Sequence, residues 1–183
     1  MVMPAMVPRY TNADLAAFPE DGHRYELVGG VLLVTPGPAP LHEVVVDEVS
    51  VRLREHVGHR ARVMQRGTVE VDPDHHLEPD ILVVPRGALP PAMDQDTRWT
   101  EIRQWWLAIE VSGLGSRIYD RDHKTPAYLA LGGPEVLRID LHDRTVEVSR
   151  PGQAIQTHHE RVVWQPPVEG MKALVIEVGA MFP

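Results

Sequence analysis

The 183-residue sequence contains no cysteine. This absence excludes disulfide bonds and zinc sites with cysteine ligands, and it is consistent with a reducing compartment. The sequence also lacks any apolar run of the roughly 20 residues that a membrane-spanning helix needs. Its N-terminal segment, MVMPAMVPRY, has neither the basic start nor the apolar core of a signal peptide. We therefore expect a soluble, cytoplasmic protein without a membrane segment.

Positive charge is also scarce, because 18 Lys and Arg residues stand against 26 Asp and Glu residues and the net charge is −8. Such a chain is a poor general binder of nucleic acid, since contacts to phosphates supply most sequence-independent affinity. One segment differs from the rest and contains Arg52, Arg54, Arg60, Arg62 and Arg66 with only Glu55 against them. A basic stripe of this kind can contact DNA phosphates. A solvated helix end followed by an exposed strand explains it equally well.

Strand and helix patterns alternate along the chain without an internal repeat. Two strands, RYELV and VLLVT, flank Gly29-Gly30 and predict a hairpin. Val45, Val49 and Leu53 recur every four residues and predict a helix over 42–57. The remaining predicted elements are a short helix ADLAAF, the strands ARVMQR, TVEV, ILVV, WLAIEV, EVLRIDL and TVEVSR, and a helix over 120–131. The order is not regular βαβ, so we expect a single α/β domain over 1–183, a mixed sheet flanked by helices.

Two acids lie at or within apolar strand patterns. Asp80 precedes the strand in PDILVV, and Glu110 lies inside AIEVS. A lone carboxylate is costly to bury, but at strand ends that converge on a cleft a divalent metal can hold two of them. Lys124 follows Glu110 by 14 residues, at the start of the predicted helix. These three residues together predict a metal-dependent phosphodiesterase site.

Each of these residues also has a simpler interpretation. Asp80 follows a proline and could be a turn residue at the start of a strand. Glu110 points away from its apolar neighbours and could lie on a solvated sheet face. Lys124 could form a surface ion pair with Asp120, four residues earlier on the same helix.

Several segments resemble a known family in their order and spacing. The segments are RYELVGGVLL, EPDILVV, LAIEVS, YDRDHKTPAYLALGGPE and GMKALVIEVGAMF. They resemble the Uma-two family of the PD-(D/E)XK nuclease superfamily, and the resemblance spans about residues 10–182. It implies a restriction-endonuclease-like fold and a DNA endonuclease that depends on Mg²⁺ or Mn²⁺.

The resemblance also implies roles for individual residues. Asp80 and Glu110 match the two acids of the family, and Lys124 matches its lysine. The metal ligands would be Asp80, Glu110 and the carbonyl of Val111, and the ion would activate a water. Lys124 would stabilise the charge that develops on the phosphate. The lysine that the superfamily usually has two residues after the second acid is replaced here by Ser112.

Two further residues acquire roles through the resemblance. Glu26 matches the acid of the first hairpin and would supply a third carboxylate or a water-mediated ligand. His42 matches the family's histidine and would contact substrate or transfer protons. On the simpler interpretation, Glu26 is a solvated hairpin residue and His42 only serves the N-terminus of its helix.

Three functions are compatible with the sequence. The first is a Mg²⁺-dependent DNA endonuclease, for which cutting both strands of a duplex would favour a homodimer. The second is a catalytically silent nuclease-fold module that binds a partner protein or another copy of itself. The third is a metal-dependent hydrolase of another phosphoester. Tight, salt-sensitive DNA binding would distinguish the first from the others.

Overall fold

The computed structural model describes residues 8–183, and its central feature is a six-stranded mixed β-sheet. Residues 1–7 lie outside this description, including most of the segment in which no signal peptide was recognised. In chain order the strands are β1 (Arg24–Val28), β2 (Val31–Thr35), β3 (Ala61–Gln65), β4 (Ile81–Pro85), β5 (Leu107–Ser112), β6 (Val136–Asp140), β7 (Thr145–Ser149), β8 (Gln156–His158), β9 (Arg161–Trp164) and β10 (Leu174–Glu177).

The six-stranded sheet has the strand order β3-β4-β5-β6-β7-β8. Strands β5 and β6 are parallel, and all other neighbours in this sheet are antiparallel. A parallel pair requires a crossover that returns the chain to the same end of the sheet. The crossover here is residues 113–135, which carry the helical segment that covers the candidate site.

Helices lie on both faces of this sheet. In chain order they are α1 (Asn12–Leu15), α2 (Pro40–Val57), α3 (Arg117–Tyr119), a π-helical turn (Asp120–Lys124) and α4 (Thr125–Ala130). Short 3₁₀ turns occur at Gly58–Arg60, Arg86–Ala88, Trp99–Glu101 and Val178–Met181. None of the helices within residues 8–183 is long and apolar enough to cross a membrane.

Two apolar clusters hold the helices against the two faces of the six-stranded sheet. Val45, Val49 and Leu53 of α2 pack with one set of inward-facing sheet residues, including Ile109. On the opposite face, Tyr128 of α4 packs with the alternate residues Leu82, Ala108 and Val136. The alternation follows from the period of two along a strand. The prediction of a mixed sheet flanked by helices is thereby confirmed, and so is the buried face of α2.

The hairpin β1–β2 was predicted correctly, including its turn. Gly29 and Gly30 have φ angles of 55° and 76°, in the left-handed region that a two-residue hairpin turn of this type requires. The hairpin joins the body of the protein through a backbone bridge between Leu27 and His76. This bridge brings β1, and the side chains on it, close to the start of strand β4.

Two sequence-based predictions were wrong in detail. TVEV, residues 68–71, forms one isolated bridge between Val69 and Leu77, because the chain turns at Asp72-Pro73 and proline cannot donate to a ladder. The helix predicted over 120–131 begins earlier, at Arg117, and contains the π-helical turn. That wide turn ends next to Pro126, whose ring has no N–H to continue a regular ladder.

Candidate active site

Asp80 and Glu110 lie opposite each other on neighbouring strands. Ile81 pairs with Ile109 across the antiparallel strands β4 and β5, and the same register continued by one residue sets Asp80 against Glu110. Side chains directly opposite in such a pair lie on the same face, with Cβ atoms about 4.5–5.5 Å apart. Both are almost fully buried, with 3% and 1% of their surface exposed. The interpretation of Glu110 as a residue on a solvated sheet face is therefore wrong.

Both oxygens of Asp80 have partners from three different elements. Arg24 of β1 donates to Oδ1 at 2.7 Å, and the backbone N–H of Val111 in β5 donates to Oδ2 at 2.8 Å. Nε2 of His42, in the first turn of α2, lies 3.0 Å from Oδ2. Burial alone would raise the pKa of Asp80. His42, Arg24 and the Val111 N–H have the larger opposite effect and lower this pKa to about 2. Asp80 is a carboxylate at neutral pH.

Lys124 lies at the centre of a second, adjoining cluster. Its Nζ is within ion-pair distance of three carboxylates, with contacts of 2.9 Å to Glu26 Oε2, 3.1 Å to Glu110 Oε1 and 3.3 Å to Asp120 Oδ1. All four side chains are buried. The ion pair between Lys124 and Asp120 was anticipated from their spacing, but it is part of this buried cluster and not a surface contact.

Neutral hydrogen-bond donors hold the three carboxylates of this cluster. The backbone N–H of Glu78 donates to Glu26 Oε1 at 2.8 Å. The Ser112 hydroxyl donates to Asp120 Oδ2 at 2.9 Å. The Tyr128 hydroxyl donates to Glu110 Oε1 at 2.6 Å. Each donor adds a charge-assisted bond that fixes the carboxylate it contacts.

Burial shifts the pKa values of the cluster strongly. Burial raises the pKa of Glu110 well above its usual value, and the neighbouring carboxylates add to the rise against the lowering effect of Lys124. The pKa of Glu26 is also raised, again by burial first. Burial alone would lower the pKa of Lys124, but its three carboxylate neighbours raise it well above the usual value. The three carboxyl groups outnumber the one ammonium, and Glu110, whose pKa is raised the most clearly, is the member of the cluster that is protonated most readily.

A cavity of about 160 Å³ opens on the outer side of the Asp80 cluster. Arg24 and His42, the two side chains that contact Asp80, line this cavity together with the Pro36–Ala39 loop and Gly113. The Arg24 side chain is 15% exposed, whereas that of Asp80 is 3% exposed. Arg24 and His42 therefore separate the buried carboxylate from solvent.

The structure brings together the five residues predicted from the sequence, through the contacts given above. They are Glu26, His42, Asp80, Glu110 and Lys124. The simpler interpretations of Glu26 and His42 are wrong, because Glu26 is fully buried against Lys124 and His42 contacts Asp80. Val111 contacts Asp80 through its N–H, and the role of its carbonyl as a metal ligand stays a prediction.

Sequence reasoning missed four residues of the site: Arg24, Ser112, Asp120 and Tyr128. Spacing carried a signal for each of them. Arg24 lies two residues before Glu26 on the same face of β1. Ser112 lies two residues after Glu110 on the same face of β5. Asp120 and Tyr128 lie four residues on either side of Lys124, on one face of the helical segment.

The oxygen atoms of Asp80 and Glu110 are ligands of the chemical type that a small divalent cation prefers. Mg²⁺ prefers oxygen ligands, keeps several waters and takes only one or two carboxylates in most sites. Within residues 8–183, no group of three or more His, Asp or Glu side chains is arranged to hold a metal. Arg24 and Lys124 neutralise the two carboxylates in this structure. A divalent ion bound at Asp80 and Glu110 would add its charge to those of these two cations.

The arginines predicted as a basic stripe are exposed or half-buried. Two of them form ion pairs on or near α2, Arg52 with Glu48 at 2.6 Å and Arg66 with Glu43 at 3.2 Å. Both pairs are accessible to solvent, and such pairs contribute little to stability. The contact of this stripe with DNA phosphates stays a prediction.

Comparisons with known proteins agree with the fold. The model of a family described as "Uma2: Putative restriction endonuclease" matches residues 13–178. A similar solved structure is described as "a putative nuclease belonging to DUF820 from Anabaena variabilis". It superposes with a TM-score of 0.73 at 19% identity and covers 94% of this chain and 97% of that chain. At this identity the likeness concerns the fold alone. No curated protein matches the sequence.

Proposed function

The chain belongs to the Uma2 family of restriction-endonuclease-like proteins, and from that membership we propose that it is a Mg²⁺- or Mn²⁺-dependent endonuclease that hydrolyses phosphodiester bonds of DNA. One observation carries the proposal. Two buried carboxylates, Asp80 and Glu110, lie opposite each other on adjacent strands, with the Lys124 ammonium 3.1 Å from Glu110. An acid pair can hold a divalent ion, and a lysine beside it can stabilise the negative charge that develops when a phosphodiester is hydrolysed.

Each residue has a defined task in this proposal. A divalent ion held by Asp80 and Glu110 would neutralise charge on the phosphate and lower the pKa of an attacking water. Lys124 supplies a fixed positive charge in a site of low dielectric, where it stabilises the developing negative charge more strongly than in water. Tyr128 orients Glu110 through its hydroxyl, and His42 orients Asp80. Because these donors are already in place, the carboxylates need little reorganisation.

The protonation states match these tasks. Asp80 is ionised across the whole physiological range, because its pKa lies at about 2. Glu110 has a raised pKa, so it is the carboxyl group of the cluster that is protonated most readily. Binding of a divalent cation would favour the carboxylate form of Glu110 and the release of a proton.

A second function has one observation in its favour. Both oxygens of Asp80 are hydrogen-bonded and Lys124 is enclosed by carboxylates, as in an ion-pair network that only supports a fold. This arrangement favours a catalytically silent nuclease-fold module. Hydrolysis of a different phosphoester is the third alternative. It differs from the proposed endonuclease only in the substrate that is hydrolysed.

Plasmid cleavage tests the proposal. Supercoiled plasmid is incubated with the protein in Mg²⁺, in Mn²⁺ and in EDTA, and the nicked and linear products are measured over time. We expect cleavage that requires the metal and that falls by a factor on the order of 10²–10³ in Asp80→Asn and Glu110→Gln. Asp122→Asn is the matched control, because Asp122 is an exposed acid of the same helical segment, paired only with Arg121 among the described residues.

Each outcome decides between the three functions. Metal-dependent cleavage that is lost in Asp80→Asn but kept in Asp122→Asn supports the endonuclease. No cleavage of DNA, together with hydrolysis of a small aryl phosphoester by the wild type alone, supports the other hydrolase. No hydrolysis of either substrate by the wild type in either metal leaves the silent module.

A further inference from the structure

The cavity in front of Asp80 has the character of an anion site. Its two charged or titratable lining residues are Arg24 and His42, and within the described residues no Asp or Glu lines it. Asp80 lies behind these two side chains, which contact it from the side of the cavity. A group that enters the cavity therefore meets a guanidinium and an imidazole before it meets Asp80.

We propose that this cavity binds a phosphate group of the DNA backbone and that Arg24 is the residue that binds it. The inference rests on the proposed function, because it names the residue that positions the substrate of that site. The phosphate would lie on the far side of the guanidinium from Asp80, so Arg24 would set the distance between the bound backbone and the carboxylate pair. Arg24 is then a substrate-binding residue as well as a partner of Asp80.

The hydrogen bonding of Arg24 supports this role. A guanidinium has five N–H donors in a planar fork that matches two oxygens of a phosphate. Within residues 8–183, Arg24 donates only one side-chain hydrogen bond, from Nη1 to Asp80 Oδ1. Its other donors have no partner in that part of the chain, although the side chain is mostly buried. An anion in the cavity would supply the missing acceptors without breaking the contact with Asp80.

His42 carries a second unsatisfied group at the same place. It is 8% exposed, and its Nδ1 is buried without a hydrogen-bond partner within the described residues. The nearest carboxylate oxygen to this nitrogen is Glu43 Oε1 at 3.5 Å. Buried polar atoms in native proteins are nearly always paired, so an orphan nitrogen on a side chain that lines the cavity points to a missing ligand or water.

The size of the cavity limits what it can hold. Its volume of about 160 Å³ is close to the ~150 Å³ of an engineered cavity that binds benzene. A phosphate with its ester oxygens fits into this space, whereas a nucleotide with its base does not. The Pro36–Ala39 loop, with two prolines, forms a stiff wall on one side. The site therefore favours the backbone of DNA over its bases and carries no sequence preference of its own.

Gly113 offers a way to block the cavity without changing any charge. It lines the cavity, and a Cβ built on it meets no atom within 4 Å. Its φ lies outside the left-handed region, so a larger residue is compatible with the backbone. Gly87 is the matched control, since a Cβ there also meets no atom within 4 Å and this glycine does not line the cavity.

The test measures phosphate binding in the absence of metal. The dinucleotide dTpdT, which contains a single phosphodiester, is titrated into the protein in EDTA, and the NMR signal of the Arg24 Nε–H is followed. We expect saturable binding that shifts this signal. We expect Gly113→Leu to weaken binding by about tenfold, the loss of one strong charge-assisted contact, and Gly87→Leu to leave it unchanged. Arg24→Lys keeps a positive partner for Asp80 but loses the planar fork, so it should also weaken binding.

Other results would overturn the proposal. Binding that is absent, or that is equally tight in wild type, Gly113→Leu and Arg24→Lys, would show that the cavity holds no backbone phosphate. The two proposals fail separately. A cleaved plasmid without dTpdT binding would reject only the cavity, whereas dTpdT binding without any plasmid cleavage would reject only the endonuclease. In an active enzyme, Arg24→Lys should raise KM for short DNA substrates more than it lowers kcat.

Discussion

Asp80 and Glu110 face each other across two antiparallel strands, and their pKa values are pushed in opposite directions. The pKa of Asp80 is lowered to about 2 by His42 and Arg24 acting against burial. The pKa of Glu110 is raised by burial and by its carboxylate neighbours. A pair of carboxyl groups whose environments separate their pKa values in this way can take different roles in one reaction. Asp80 is the member of the pair that stays ionised at neutral pH, and Glu110 is the member that takes up a proton more readily.

The separated pKa values predict that metal binding releases a proton. Glu110 must be a carboxylate to act as a ligand, so the affinity for Mn²⁺ should rise with pH. We expect release of about one proton per ion at low pH, measured by calorimetry in buffers of different ionisation enthalpy. In Glu110→Gln the heat of binding should no longer depend on the buffer. A buffer-independent heat in the wild type would contradict the raised pKa of Glu110.

The low pKa of Asp80 predicts a contribution to stability that acid removes. A carboxyl with a folded pKa of about 2 and a usual value of 3.8 stabilises the fold above pH 3.8 and loses this contribution as the pH falls through 2. The difference corresponds to about 2 kcal/mol. The unfolding free energies of wild type and Asp80→Asn should therefore converge by about this amount between pH 5 and pH 2. A difference that stays constant with pH would show that Asp80 has an ordinary pKa.

Removing the charge of Lys124 should destabilise the protein. Lys124→Met leaves three buried carboxyl groups without their cation, and breaking a buried ion pair from one side costs about 3–5 kcal/mol. The cost should be smaller at pH 5 than at pH 8, because Glu26 and Glu110, whose pKa values are raised, are protonated more readily at the lower pH. Chemical denaturation at the two pH values measures this. Adding Glu110→Gln should restore part of the stability, and Lys172→Met, at an exposed lysine, is the control.

The packing of α2 predicts a different effect at a site without charge. Leu53 is 1% exposed and belongs to the apolar cluster between α2 and the sheet. Leu53→Ala should lower the unfolding free energy by roughly 2–5 kcal/mol, because it removes buried methyl groups and leaves a cavity. Val51→Ala is the control on the same helix, since Val51 is 43% exposed. A similar small change in both variants would show that this face of α2 is not buried.

Local patterns in the sequence were sufficient for most of the fold. The period of two in RYELV and VLLVT, with two glycines between them, gives the hairpin together with its turn. The period of α2 places Val45, Val49 and Leu53 correctly, because a single buried face dictates it. TVEV was misread, since alternation alone does not reveal that the partner strand ends after one bridge.

The partners within the site were harder to predict because they are distant in the chain. Arg24 and Asp80 are 56 residues apart, and only the bridge between Leu27 and His76 brings β1 to the start of β4. The five predicted residues were found through resemblance and through acids in apolar runs. Neither the resemblance nor the acids in apolar runs indicate which side chains donate hydrogen bonds to the buried carboxyl groups. Arg24 and Tyr128 were therefore identified only from the three-dimensional contacts.

Calorimetric titration with Mn²⁺ tests the central claim that Asp80 and Glu110 form one cation site. We predict a single site in the wild type and in Asp122→Asn, with a matching rise in thermal stability by mass action. Both effects should disappear in Asp80→Asn. Binding of Mn²⁺ by Asp80→Asn with the affinity of the wild type would contradict the account and move the metal site away from this pair of strands.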